Sequence, residues 1–492
     1  MSVGIVLGWL LVHALFVAAG GALLAAVGAL RYDPRGLLWA LGPAYLAGVA
    51  LVSLVLILLV VIGLPYTLFT LIVVSLLLAG GLGYLALRRH GRIEAPGRAL
   101  PFRSTPERVL VIGLAAVLVL YLLFAGTSFK DLPTLWDPAH MWFLRASALY
   151  HAQGLDSSVF TNKAIFAPFH IDYPLLQPAF QAAIYHGLGK EAIRYFHVEQ
   201  WGLFAAALWT AAWLLRPGRR IIIWLPALMA IAVAGGTPNA PTQGNADLTV
   251  AIFVALGGLA FGVWLERKHP AHLILGALFL AAAANSKKEG QIFAVAIAVA
   301  VLLVLLAQRA WRPLRQFVLA GIGAIALIVP WLAYVALNSL PSNDTVPLHT
   351  LLSNGYLTGR LFRLGIATDG VLGQLQDINA WAWATPVLVG VALACLVARR
   401  LRPLAAFYLI GSTLMVLALL WIYWTGSWPD VAIYLNVTVD RTTTSVALLS
   451  AFAAGHLAAA AALRGDEPVD EPTAAAKVAD EPTEPELAGA RS

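Results

Sequence analysis

Five stretches of this chain set carboxylates and cations into surroundings that are otherwise apolar. "FKDLPTLWDPAHMWFLRASALY" (129–150) carries Lys130, Asp131, Asp137 and Arg145 just after the apolar run Val109–Ala125. "HIDYPLLQP" holds His170 and Asp172, and "TQGNADLTV" puts Asp247 at the head of an apolar run. "ANSKKEGQ" supplies Lys287, Lys288 and Glu289, and "IYLNVTVDRTTTS" supplies Asp440 and Arg441. A carboxylate at a membrane surface can take the proton of an attacking hydroxyl, which as general-base catalysis contributes about 10²–10⁴-fold. A Lys or Arg can stabilise charge developing on a leaving phosphate, and Arg441, Lys288 and Arg145 are the candidates. A divalent metal such as Mg or Mn, held by Asp137, Asp172 and Asp247, would do the same work. The spacing leaves cation and metal both open.

Each residue also has a plainer role to weigh. Asp137 precedes Pro138 as an N-cap precedes a first helical position, and Asp131 is the rival base. Asp247 suits the cap of a span starting at Leu248. Asp172 before Tyr173-Pro174 suits a turn, and His170 suits a loop hydrogen bond. Lys287 is expected to snorkel to the interface, and Arg441 to pair with Asp440. Trp136 and Trp142 fit an interfacial aromatic belt. His13 and His456 read as satisfied core residues. The single cysteine, Cys395, lies in an apolar run, so no disulfide within the chain and no cysteine-built metal site is available.

These residues must be positioned by membrane helices. The chain is 60% hydrophobic and 12% charged, against about 25% charged in soluble domains. A polytopic all-α protein follows, because a spanning backbone must satisfy its own hydrogen bonds. Thirteen spans are read: 3–30, 37–62, 66–87, 108–126, 195–215, 221–236, 248–266, 272–286, 291–307, 317–338, 380–398, 403–424 and 443–463. The run Val3–Leu30 lacks a basic leader and is too long for a signal core, so it counts as a span. Alternate loops divide the charges unequally. One side holds 20 bases and four acids, the other ten bases and thirteen acids, leaving aside the residues after Arg464. The basic side is therefore cytoplasmic, with the N-terminus external. The net charge of +7 is an orientation signal and not a nucleic-acid footprint. Residues 1–107 read as a three-span extension with a basic loop, 108–463 as the core, and 464–492 as a disordered acidic cytoplasmic tail. Between the spans, 138–149 reads as an amphipathic helix in the headgroup layer, and a second short helix starts near Pro174.

Taken in order, "WDPAHMWFLRASALY", "HIDYPLLQP", "GNADLTVAIF", "KKEG" and "LNVTVDR" resemble the motifs of bacterial GT-C superfamily membrane glycosyltransferases. The similar branch is that of protein O-mannosyltransferases and aminoarabinose transferases, and the resemblance covers roughly residues 108–463. It implies a GT-C-like core, a polyprenyl-phosphate sugar donor and a catalytic base at the position of Asp137. It places His170 and Asp172 on the second loop motif, where the family commonly has prolines and this chain has Ile171 and Asp172. The implied acceptor is an envelope glycan, lipid or protein on the external face of the cell membrane. A single carboxylate acting by direct displacement inverts the anomeric centre, whereas retention needs a second carboxylate as nucleophile. The alternative is a transporter or flippase of a lipid-linked substrate, which calls for repeats and midplane charges. No repeat is visible in the sequence.

Overall fold

The computed structural model describes residues 3–30, 37–90, 116, 137–215, 244–342, 346–353 and 355–462. Lys130, Asp131, Trp136, all but one residue of the expected span 108–126, the expected span 221–236, most of the basic loop and the tail lie outside the described residues. Among those described there is no strand. Eight helices are long and apolar enough to cross a membrane.

Three of the eight open the chain: α1 (Val3–Ala26), α2 (Leu37–Val61) and α3 (Leu68–His90). A π-helical turn, Pro138–Phe143, leads into α4 (Leu144–Ala152). Then come α5 (Leu176–Leu188), α6 (Phe196–Leu214), α7 (Asp247–Arg267), α8 (Pro270–Ala284), α9 (Lys288–Ala307) and α10 (Trp311–Leu337). The chain closes with α11 (Leu361–Gln376), α12 (Ala384–Val397), α13 (Arg402–Thr425) and α14 (Val431–Ala462). Eleven of the expected spans thus coincide with helices. Three of these, α6, α8 and α12, fall short of the length or apolarity of a membrane span.

Helix α7 is the hub. Every residue from Asp247 to Leu265 is buried, and it packs against α6, α8 and α14. Its 21 residues, at about 1.5 Å each, reach roughly 30 Å, the thickness of a bilayer's hydrocarbon core. Small residues let the helices of the first unit approach closely. A Cβ on Gly20 would collide with the Ala44 carbonyl, and one on Gly8 with the carbonyl of Gly187 in α5. The buried carboxylate of Glu199 joins α6 to α1: it accepts from Trp9 Nε1 at 2.6 Å and lies 3.3 Å from His13 Nε2. His456 is likewise partnered, by the Tyr408 hydroxyl at 2.8 Å and Glu266 at 3.1 Å.

Three expectations about elements need correction. The stretch 138–152, expected to lay its apolar face in the headgroup layer, turns that face to protein. Met141, Trp142, Phe143, Arg145, Ala146, Ala148 and Leu149 are all buried, because α4 packs on α5. Trp142 therefore belongs to the core beside Tyr173, with ring centroids 6.0 Å apart, and not to an aromatic belt. The last helix begins at Val431 and not near 443, so Asp440 and Arg441 sit within a helix rather than in the loop before it. The run of Val, Asn and Thr there is too polar for a hydropathy window, yet it extends a helix whose apolar part is already nucleated.

Candidate active site

At one end of the bundle, the Cα positions of the key residues are fixed by helix starts. Asp247 opens α7, Lys288 and Glu289 open α9, and Asp137 opens the π-helical turn. Arg441 lies ten residues into α14 and 21 residues from its end, again about 30 Å from the far end. Ionisable side chains from four elements are thereby levelled at one boundary of the apolar zone. At the opposite end of α7 stand Glu266 and Arg267, and Arg400 donates to the Ala460 carbonyl near the end of α14.

Gly244 sets the approach of Asp247 to Asp137. Its φ is +73, in the left-handed region that favours glycine. A Cβ would lie 3.1 Å from the Phe143 ring and 3.3 Å from Pro138. Gln177 of α5 fixes the same turn, donating to the Gly244 carbonyl at 3.3 Å while its Oε1 accepts from Thr249 at 2.8 Å.

The side chains form a continuous chain of ion pairs. Arg441 Nη1 donates to Asp137 Oδ2 at 2.6 Å and lies 4.0 Å from Asp247 Oδ2. The other oxygen of Asp247 accepts from Lys287 Nζ at 2.8 Å, and Lys287 also meets Glu289 Oε1 at 2.9 Å. Next in sequence, Lys288 pairs with Asp172, donates to Ser342 Oγ at 2.6 Å and stands 5.0 Å from the centre of the Tyr173 ring. Asp172 is only 5% exposed, and its carbonyl accepts from Trp331 Nε1 of α10 at 3.1 Å.

Asp137, Asp247, Glu289 and Arg441 thus meet as one group, with Asp172 and Lys288 as a second pair joined to it through the Lys287–Lys288 peptide. Asp137 is not a side-chain N-cap: its backbone is already helical and its carboxylate makes no cap bond. Arg441 directs its guanidinium to Asp137, while Asp440 Oδ1 accepts the Arg441 backbone N–H, at 2.7 Å. Asp172, Asp247 and Asp137, named as metal ligands, each face a cation. Among the described residues no group of three or more His, Cys, Asp and Glu is arranged to hold a metal ion.

Two further candidate binding residues, Arg145 and His170, shape the turn beside this group. Arg145 is 1% exposed. It donates from Nε to the Met141 carbonyl at 2.8 Å and from Nη1 to the Tyr173 carbonyl at 2.7 Å. Burial pulls its guanidinium down to about 10, against the opposing pull of Asp172. Its role is to pin the 170–173 turn to α4. His170 occupies the left-handed region at φ 51, accepts the Tyr173 N–H at its carbonyl at 3.0 Å, and packs its ring 5.0 Å from that of Tyr173.

Lys287 is the residue that sequence reasoning assigned wrongly. It does not snorkel; it is 8% exposed and bridges two carboxylates. Burial works to lower its pKa, but Asp247 and Glu289 outweigh burial and hold it above the usual lysine value. The available signal was the spacing: of two adjacent lysines heading a helix, only one can face its axis of packing.

An apolar groove of about 510 Å³ runs between the end of α2 (Leu58, Val61, Ile62) and that of α10 (Val329, Ala333, Leu337). On α10 the neighbouring Trp331 is buried away from this lining, and its indole N–H donates to the Asp172 carbonyl. Compared with family models, curated proteins and solved structures, the chain matches none.

Proposed function

We propose that this protein is a membrane glycosyltransferase that moves a sugar from a polyprenyl-phosphate donor to a hydroxyl acceptor. The observation that carries this reading is the meeting of Asp137, Arg441 and Asp247 at one end of an apolar helical bundle. A donor of this class needs three things at such a boundary: apolar surface for its chain, a cation for its phosphate and a carboxylate by the anomeric carbon. The groove between α2 and α10, the Arg441 guanidinium and the Asp137 carboxylate are suited to them.

In the proposed reaction Asp137 removes the proton of the acceptor hydroxyl as that oxygen bonds to the anomeric carbon. The bond from the anomeric carbon to the phosphate oxygen breaks, and its electron pair leaves with the polyprenyl phosphate. Arg441, whose fork matches phosphate oxygens, stabilises the departing charge. One carboxylate acting as base gives inversion. The acceptor is an envelope glycan, lipid or protein at the external face, in keeping with the charge asymmetry of the loops. Transport is the other reading of the sequence, but the gathering of the ionisable groups at one end of the bundle favours surface chemistry over a midplane pathway.

The test is consumption of donor. Purified protein in liposomes, given polyprenyl-phosphate hexoses and pentoses with an envelope extract, should release polyprenyl phosphate and glycosylate an acceptor. Movement of intact donor between leaflets, with no release of polyprenyl phosphate from any donor, would reverse the assignment in favour of transport.

A further inference from the structure

Charge counting raises a difficulty for a phosphate entering this site. The central group holds three carboxylates (Asp137, Asp247, Glu289) and two cations (Lys287, Arg441), so 2 − 3 leaves one net negative charge. Every carboxylate in it already faces a cation. The neighbouring Asp172–Lys288 pair adds none. A lipid phosphate cannot simply be added to such a group, because it would bring further negative charge into a partly desolvated place. It must take a cation away from a carboxylate.

Arg441 is the cation that can be taken. Lys287 is shared between two carboxylates and nearly closed off, whereas Arg441 makes its short contact to Asp137 alone. The Arg441 Nε is buried and has no hydrogen-bond partner among the described residues, so the guanidinium has donor capacity for a second acceptor oxygen. Of the two carboxylates facing Arg441, Asp137 is the more exposed, 32% against 10% for the Asp247 side chain. Water can therefore solvate Asp137 once it is released. Asp247 stays put, because Lys287 holds its other oxygen.

Building on the glycosyltransferase reading, we propose that Asp137 is a resident anion on the phosphate site and that the donor phosphate displaces it from Arg441. Without a phosphate on Arg441 the base is tied to its phosphate cation and the site is self-quenched. Donor binding exchanges one anion for another on Arg441 and frees the Asp137 carboxylate for the acceptor hydroxyl. Lys287 and Asp247 act as positioning residues that keep Arg441 in place during the exchange. The base becomes available only when a phosphate is present, which guards against unproductive proton transfer.

The exchange predicts an unusual split: removing the base should improve binding. In detergent or nanodiscs, Asp137→Asn should bind polyprenyl monophosphate roughly two- to fivefold more tightly than wild type, the scale of releasing a partly exposed ion pair, while losing sugar transfer. Asp440→Asn removes a nearby carboxylate that does not touch the guanidinium, and it should tighten binding far less. The double variant Asp137→Asn/Arg441→Ala should bind no better than Arg441→Ala. Inorganic phosphate and an anionic glycerophospholipid, used as competitors, separate a headgroup effect from one that needs the prenyl chain. Unchanged or weaker binding in Asp137→Asn, with wild type binding the lipid normally, overturns the exchange and leaves the glycosyltransferase reading intact. Equal tightening by Asp440→Asn also overturns it, because general electrostatics would then suffice. Wild type that binds no polyprenyl phosphate would instead remove the reading beneath it.

Discussion

At the scale of single residues, the most consequential contact is one that a span-by-span reading hides. Lys287 lies between Asp247 and Glu289, at 2.8 and 2.9 Å. Removing one member of a buried ionic group leaves uncompensated charge, at a cost of about 3–5 kcal/mol. Lys287→Met should accordingly lower thermal stability in detergent by that order. The double variant Lys287→Met/Asp247→Asn should recover part of the loss. A Lys287→Met protein that melts like wild type would show the bridge to be dispensable. The types of the site residues were legible in sequence because ionisable groups in an apolar chain stand out. Their partners were not, since Asp137 and Arg441 are separated by 304 positions and no local pattern links them. Adjacent Lys287 and Lys288 also look equivalent in one dimension. Only the packing of α9 sends one inward to Asp247 and the other to Asp172.

At the scale of elements, hydropathy gave the helices of the bundle but misjudged where they begin. The expected last span starts at Thr443, whereas the helix starts at Val431, where Asp430 Oδ1 accepts the N–H groups of Ala432 and Ile433. The Thr hydroxyls further along are satisfied by carbonyls within the helix: Thr443 donates to Val439 at 2.6 Å, and Thr444 to Asp440 at 3.1 Å. Helix α11 went unread because its polar and apolar residues mix within a segment too short to span. The 138–152 stretch was legible as a helix, but its burial comes from α5, which no window over its own residues reports. Gly244 offers a test of how elements set the site. Ala there needs a left-handed backbone, costing about 1–2 kcal/mol, and presses a methyl towards Pro138 and Phe143. Gly244→Ala should reduce turnover by more than that cost in stability would suggest, because the Pro138 turn carries Asp137. Unaltered turnover with a lowered melting temperature would separate the turn from the chemistry.

At the scale of the whole molecule, three helices agree on a common level. Asp247 to Arg267 and Arg441 to Ala462 each cover 21 to 22 residues, and α9 covers 20, all close to one hydrocarbon thickness. The proposed function sets this level at the external membrane boundary. Cys395 is the single cysteine, so Cys395→Ser gives a background for labelling. On intact cells, an impermeant thiol reagent should label Thr161→Cys and spare Arg309→Cys, both of which are exposed positions. The reverse pattern would place the site on the cytoplasmic side.

The central claim is that this group of charges performs sugar transfer with Asp137 as its base. The most direct measurement is release of polyprenyl phosphate by Asp137→Asn beside its melting curve. The account predicts a fall in turnover of at least about 10²-fold, the lower bound for losing a general base, with melting close to that of wild type. Turnover within a few-fold of wild type in a folded Asp137→Asn protein would contradict it.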